Sequence, residues 1–488
     1  MDSNRQRTLI IGLDGATFDL IDPLMRAGDL PNMARLIERG VRAPLQTWPN
    51  TNSAAAWSSM ITGYNSGHHG IFHFSEALNR SDGVTGWSPV TATDRKKDPF
   101  WRILSAAGQH VGVINVPISY PADAINGFML AGMDAPSTQS PGFAHPAGLL
   151  DELRRQDIDY IIDVPDLGVA SRRDPHRLPD SVRHMIDARS RTILYFMQNS
   201  PWDVLMAVFV ATDRVQHYFW PQRLSAVEAP DWAPIRSLYR QIDDFFGKAL
   251  ALAGEETTVL VVSDHGFGPL KTARRCLNKL FVELGLLSPR QRRGSLKSRL
   301  LKNLLLSGRK ILPFSFQRRL ARALPGLHLR AVSEHNYSSF DWSRTQAYAA
   351  PQGSRVWINL QGRSPEGAVP ASMYEPLREQ IREILSNITD PATGRRAIRE
   401  VRRREEIYRG PYLEKAADLL VEWESDAIED SLGYSADGRS IIVKADEKDR
   451  TNKWKGNHRP LGILIASGPH IKHGERLAQA SIYDIAPT

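Results

Sequence analysis

Three apolar runs in this chain end on an aspartate: LIIGLD at Asp14, VLMAVFVATD at Asp213 and TTVLVVSD at Asp264. Near-continuous apolar stretches of this length read as strands buried on both faces. Similar runs recur at His110–Val116, Val356–Leu360 and Gly462–Ala466. Amphipathic stretches lie between them, such as Pro31–Arg39, Ser181–Gln198 and Ile235–Ala253. Strands alternating with helices predict an α/β three-layer sandwich, with a central, mostly parallel sheet and helices on both faces. In open sheets of this kind ligands bind beyond the carboxyl ends of the strands. Three strands would therefore deliver a carboxylate to one edge. Each aspartate alone could equally cap a helix or start a turn.

The neighbours of these aspartates add to the pattern. His217 follows Asp213 by four residues in ATDRVQHYFW. On a helix those positions share a face, so a carboxylate and an imidazole there can hold one divalent ion. A helix cap beside a packed histidine is the plainer alternative for that pair. In SDHGFG, Asp264 and His265 are adjacent. Both can reach one ion only where the strand has ended, and Gly266 and Gly268 allow such a turn. His458 precedes an apolar strand in KGNHRPLGILIASGP, and His68 and His69 in SGHHGIFHF are the next histidine candidates. Ser53 opens a small-residue stretch before a predicted helix through Trp57–Ile61. A hydroxyl at a helix N-terminus sees free N–H groups that suit phosphate, though such a serine more often only caps the helix.

The net charge of +8 would suggest an anionic partner of any kind, but its distribution narrows that choice. Arg290–Arg330 holds twelve Lys or Arg and no Asp or Glu, which leaves −4 for the remainder. Leucines recur through this segment, so it predicts a basic helical insert. Such an insert is either a solvated lid or a contact for an anionic membrane surface. A charge confined to one insert is unlike that of a general nucleic-acid binder. The single cysteine, Cys276, excludes an internal disulfide and every multi-cysteine metal site. The N-terminal region lacks a signal-type apolar core, and the apolar runs fall well short of the roughly 20 residues a membrane helix needs. These features predict a soluble, cytoplasmic protein.

Taken in order, GLDG, TNSAAAWSSMITG, SGHHGIFHF, TDRVQHYFW, SDHGFGP, WINLQGRSPEG and GNHRPLGILIASGP resemble the type I phosphodiesterase/nucleotide pyrophosphatase family of the alkaline phosphatase superfamily. The resemblance spans nearly the whole chain and is weakest over the basic insert. It implies an alkaline-phosphatase-like fold and two divalent metal ions, usually zinc, with manganese as the alternative. Asp213, His217 and His458 match the ligands of one ion. Asp14, Asp264 and His265 match those of the other. The family's nucleophile lies nine residues before the Thr of a Thr-Gly pair, here Thr62-Gly63, and so falls on Ser53. Many relatives carry Thr at that position. Nucleotide pyrophosphatases also carry an Asn three residues later, where this chain has Ala56. The sulfatase motif Cys-x-Pro-x-Arg is absent.

The expected activity is therefore metal-dependent hydrolysis of a small phosphoester through a covalent phosphoserine. A phosphomutase or phosphotransferase of the same superfamily is the first alternative. A non-catalytic module binding anionic lipid or polyanion is the second. The expected organisation is a catalytic core in two parts, residues 1–285 and 335–488, separated by the basic insert at 286–334.

Overall fold

The computed structural model describes residues 6–47, 49, 51–79, 85–164, 178–290, 340–364, 366–424, 429–436, 438–447 and 453–488. The basic segment lies outside these residues beyond Arg290. The helical insert expected at 286–334, and any lipid contact made by it, therefore falls almost wholly outside them.

A ten-stranded sheet forms the centre. Its strands are β1 (Thr8–Leu13), β2 (Gly40–Gln46), β3 (Val111–Ile114), β4 (Gly127–Leu130), β5 (Ala144–His145), β6 (Val204–Phe209), β7 (Thr258–Val262), β8 (Leu461–Ser467), β9 (Glu475–Arg476) and β10 (Ala480–Ser481). The spatial order is β9-β2-β8-β7-β1-β6-β3-β4-β5, with β10 also paired to β2. The pairs β1–β6, β1–β7, β3–β6 and β3–β4 are parallel, whereas β8 runs antiparallel to both β2 and β7. The sheet is thus mixed but mostly parallel, as the alternating pattern predicts.

The helices that bear on the site are α1 (Phe18–Arg26), α2 (Pro31–Glu38), α3 (Ser53–Thr62), α4 (Leu178–Asn199), α5 (Ala211–Phe219) and α6 (Ala233–Ala253). They pack with the sheet around one hydrophobic core. β1 sits at the middle, and five of its six residues are buried. That environment explains why its sequence runs apolar without alternation.

α3 is unusual in that all ten of its residues are buried. Its sequence, SAAAWSSMIT, supplies mostly small side chains, which let a helix backbone enter a packed interior. Gly63 ends it at φ +71°, the left-handed conformation that glycine adopts without Cβ strain. The helix also needs a glycine on the sheet. A Cβ on Gly12 would lie 2.4 Å from Trp57 Cη2 and 2.8 Å from Val208 Cγ2. Gly12→Ala is therefore expected to cost about 1–3 kcal/mol through overpacking. Chemical denaturation checks this: the midpoint should fall at unchanged slope. A wild-type midpoint would show that Trp57 can yield at no cost.

A second hydrophobic cluster lies between the last two long strands of the central sheet in sequence. It includes Leu277, Leu280, Ile381, Ile398 and Leu419. Its four-stranded antiparallel sheet has the order Ala347–Ala349, Arg355–Ile358, Leu419–Trp423, Ile398–Arg403. The apolar run at Val356–Leu360 belongs here rather than in the central sheet. The motif WINLQGRSPEG finds its role here as well. Arg363 donates to the fully buried Asp418 at 2.7 Å, and Asp418 also accepts from the Ile358 N–H at 2.7 Å and the Tyr374 hydroxyl at 2.6 Å. Among the described residues, no helix is long and apolar enough to cross a membrane.

Candidate active site

Parallel pairing delivers the three aspartates to one edge. Leu13 of β1 pairs with Phe209 of β6, and Gly12 pairs with Val262 of β7. Asp14 then lies one residue past its strand, Asp264 two past, and Asp213 in the first turn of α5. Backbone contacts bind the three strand ends together. The Gly15 N–H donates to Asp264 Oδ1 at 3.2 Å, Gln216 Nε2 to the Gly15 carbonyl at 2.8 Å, and the Thr212 hydroxyl to the Asp14 carbonyl. The Thr47 hydroxyl holds the Asp264 carbonyl at 2.6 Å.

His217 sits one turn beyond Asp213 on α5, and its Nε2 is 3.3 Å from Asp213 Oδ1. His458 arrives by a non-local route. The segments Gly266–Pro269 and Gly456–Arg459 pair antiparallel, with Phe267 opposite His458. His458 Nε2 then lies 3.0 Å from Asp213 Oδ1 and 3.2 Å from His217 Nε2. On the other side, His265 Nε2 is 3.6 Å from Asp14 Oδ1 and 3.4 Å from Asp264 Oδ2. All six residues expected as ligands thus converge. The split between two sets is less sharp than the resemblance implies. His265 groups with Asp14 and Asp264, and also with Asp213 and His458, each group having its ligand atoms within 4.8 Å of one another.

The hydrogen bonds show how the imidazoles are oriented. Nδ1 of His217 meets the Gly456 carbonyl at 3.1 Å, Nδ1 of His265 the Gly266 carbonyl at 2.9 Å, and Nδ1 of His458 the Thr51 carbonyl at 2.7 Å. A carbonyl only accepts, so each Nδ1 carries a proton and each Nε2 is turned inward, towards the carboxylates. Anchoring of this kind is what metal-ligating histidines require.

The carboxylates give a second test of fit. Asp14, Asp213 and Asp264 are each at most 2% exposed. Burial pushes Asp14 well above the usual carboxylate range, and the charges of Asp264 and Asp213 push it further. Burial likewise takes Asp264 up to about 7, and its Oδ2 is buried with no hydrogen-bond partner. Burial also acts to raise Asp213, but His217, His458 and Arg214 outweigh it and hold Asp213 well below the ordinary range. Burial lowers His265 to about 4, so its imidazole is neutral near pH 7. Crowded buried carboxylates beside the neutral imidazole of His265, one oxygen orphaned, are a donor set that divalent cations would satisfy. Three carboxylates and three imidazoles are side chains of a kind that suits zinc and tolerates manganese.

Ser53 is 6% exposed at the N-terminus of α3. Its Oγ lies 3.2 Å from His265 Nε2 and 3.5 Å from Asp14 Oδ1. The preceding residue, Asn52, makes no side-chain cap, so the first-turn N–H groups are left for another acceptor. Ala56 is buried and offers no polar contact of its own.

His69 lies away from this cluster. Its Nε2 meets Ser59 Oγ at 3.0 Å, its Nδ1 accepts the Ile71 N–H at 3.1 Å, and burial lowers it to about 3. It is a packed, hydrogen-bonded histidine. Two contacts escape a sequence reading: Trp57 Nε1 donates to Asp14 Oδ2 at 3.1 Å, and Arg214 Nη1 to Asp213 Oδ2 at 2.6 Å. Arg214 is at least visible as the neighbour of Asp213 in TDRVQH.

The family model for type I phosphodiesterase/nucleotide pyrophosphatase matches residues 8–460, a span that includes every residue of this cluster. The chain belongs to that family. It is a metal-dependent phosphoester hydrolase of the alkaline phosphatase superfamily. Among solved structures, phosphonoacetate hydrolase from Sinorhizobium meliloti 1021 in complex with phosphonoformate superposes at a TM-score of 0.55 with 14% identity. That match covers 99% of this chain and 94% of the other, and shows a shared fold. Human ectonucleotide pyrophosphatase/phosphodiesterase 5 superposes more loosely, at a TM-score of 0.49 with 12% identity, over 99% and 93% of the two chains. No curated protein matches the chain.

Proposed function

We propose that this phosphodiesterase-family protein cleaves a small phosphoester through a covalent phosphoserine on Ser53, beside two divalent ions. Asp213, His217 and His458 would hold one ion, and Asp14, Asp264 and His265 the other. When bound, such a pair supplies Lewis acidity to the attacking and leaving oxygens. The observation that carries the reading is the position of Ser53 Oγ, at a helix N-terminus and 3.2 Å from an inward-facing imidazole nitrogen.

The chain's own groups then divide the work. Ser53 Oγ gives up its proton to water and attacks phosphorus in line; the bond from phosphorus to the ester oxygen breaks, the leaving alcohol takes up a proton from water, and Oγ becomes the bridge of the phosphoserine. The first-turn N–H groups of α3, uncapped by Asn52, face the place where a phosphoryl oxygen would lie. They take the part that an asparagine plays in nucleotide pyrophosphatases and that Ala56 does not offer. Asp14, held by Trp57 Nε1, keeps its other oxygen towards Ser53. Water attack on phosphorus then frees Ser53 and releases phosphate or a phosphomonoester.

A panel of phosphomonoesters and phosphodiesters, assayed on metal-replete protein with rapid acid quench, tests this reading. The expected results are phosphate or phosphomonoester release and a quench-trapped phosphopeptide that contains Ser53. Transfer to added alcohols without net release would make the protein a phosphotransferase. Turnover with no phosphopeptide under any quench time would remove the covalent step.

A further inference from the structure

The two oxygens of Asp213 have different neighbours. Oδ1 faces His217 and His458, at 3.3 Å and 3.0 Å. Oδ2 points the other way and accepts from Arg214 Nη1 at 2.6 Å. The rest of that guanidinium is gripped by Asp163. Arg214 Nε lies 3.1 Å and 3.2 Å from the two Asp163 oxygens, and Nη2 lies 2.7 Å from Oδ2. Nη2 also contacts Met133 Sδ at 3.5 Å. The side chains of Arg214 and Asp213 are 13% and 3% exposed, so water competes little for these bonds.

A carboxylate bound on one side only can rotate about its Cβ–Cγ bond and offer either oxygen, or both, to an ion. Here one oxygen is occupied by a planar donor that is itself fixed by a second carboxylate. A guanidinium can do this because its fork serves two carboxylates at once in a rigid plane, and an ammonium cannot. Arg214 also brings positive charge to a buried group of three carboxylates.

We propose that Arg214, braced by Asp163, is a positioning residue that presents Asp213 through Oδ1 alone to the ion shared with His217 and His458. The inference rests on the two-ion reading above. Among the described residues Arg214 hydrogen-bonds Asp213 but neither Ser53 nor the Asp14–Asp264–His265 group, which only its charge reaches. Its loss therefore acts chiefly on the ion shared with His217 and His458.

The test uses the full chain, stripped of metal and titrated with Zn²⁺ by calorimetry, with Co²⁺ absorption as a second readout of ligand geometry. Wild type is expected to take up two ions. Arg214→Met should weaken one of them by about 10- to 100-fold, the usual effect of removing a ligand's hydrogen-bond partner, and the other by much less. Asp213→Asn identifies which ion that is. Arg214→Lys restores charge without the fork and should recover only part of the affinity. Asp163→Asn, which leaves the Arg214–Asp213 bond in place, should weaken the same ion less and shift its Co²⁺ spectrum. It also keeps the test open should Arg214→Met fold poorly. Two ions bound with wild-type affinities and spectra in Arg214→Met, or in Asp163→Asn where Arg214→Met does not fold, would reduce Arg214 to a structural ion pair. A wild-type chain that binds no Zn²⁺ would overturn the two-ion reading and this inference together.

Discussion

Replacing Ser53 with alanine is expected to lower kcat by about 10⁴-fold or more while leaving metal content and thermal stability near wild type. The size follows from removing a nucleophile whose attack the remaining groups cannot replace. The selectivity follows from geometry. Ser53 Oγ lies 3.2 Å and 3.5 Å from its nearest polar partners, so it holds them weakly. The six expected ligands are anchored by other bonds: the histidines by backbone carbonyls, Asp14 by Trp57, Asp213 by Arg214 and Asp264 by the Gly15 N–H. Alanine also suits a helix whose next three residues are already alanine. Thr51, two residues earlier, turns its carbonyl to His458 and has no position in the helix. Parallel measurement of turnover, bound metal and melting temperature checks the claim. Undiminished turnover at full metal content would sink the nucleophile assignment, whereas joint loss of turnover and metal would make Ser53 a ligand in the main.

The convergence of the three aspartates was readable in the chain because short-range patterns carry it, whereas Ser53 is singled out by the resemblance alone. Apolar runs ending in Asp14, Asp213 and Asp264 follow from strands buried on both faces, and parallel pairing makes their ends coincide. The spacing of Asp213 and His217 is one helical turn. His458 has no such local signal. It reaches the site through pairing with Phe267, a residue far away in the chain, and only the order of motifs pointed to it. Asp163 was out of reach altogether, since a lone aspartate in a loop has no period to betray what it binds. The run at Val356–Leu360 shows the same limit from the other side. Its apolar character predicts a strand, and Arg355–Ile358 is one. Which sheet a strand joins depends on partners such as Leu419 and Leu420, and periodicity does not name partners.

Asp264→Asn is expected to stabilise the metal-free protein while cutting turnover of the metal-replete protein by about 10³-fold. The first half follows from what the carboxylate endures without a cation. Asp264 is fully buried, its Oδ2 has no hydrogen-bond partner, and Asp213 and Asp14 lie close enough to repel it. Burial above all takes it to about 7 from an ordinary 3.8, against the pull of the Gly15 N–H. A group whose pKa is raised on folding favours the folded state in its protonated form. Its contribution is present in full below the unfolded value and is lost as pH rises through the folded one. The melting temperature of the metal-free Asp264→Asn variant should therefore rise relative to that of metal-free wild type as pH goes from about 4 to about 7 and above. The second half follows from the same carboxylate seen with metal bound. A neutral amide ligates a divalent ion poorly, and losing one ion of a pair forfeits several kcal/mol of transition-state stabilisation. Saturating metal should then raise the melting temperature of wild type more than that of the variant, because stabilisation tracks affinity for the folded state. Thermal scans with and without chelator across that pH range, beside kcat/KM on replete protein, test both halves. A metal-free variant no more stable than wild type near pH 8, where the repulsion is greatest, would show that Asp264 bears no burden that a cation must relieve.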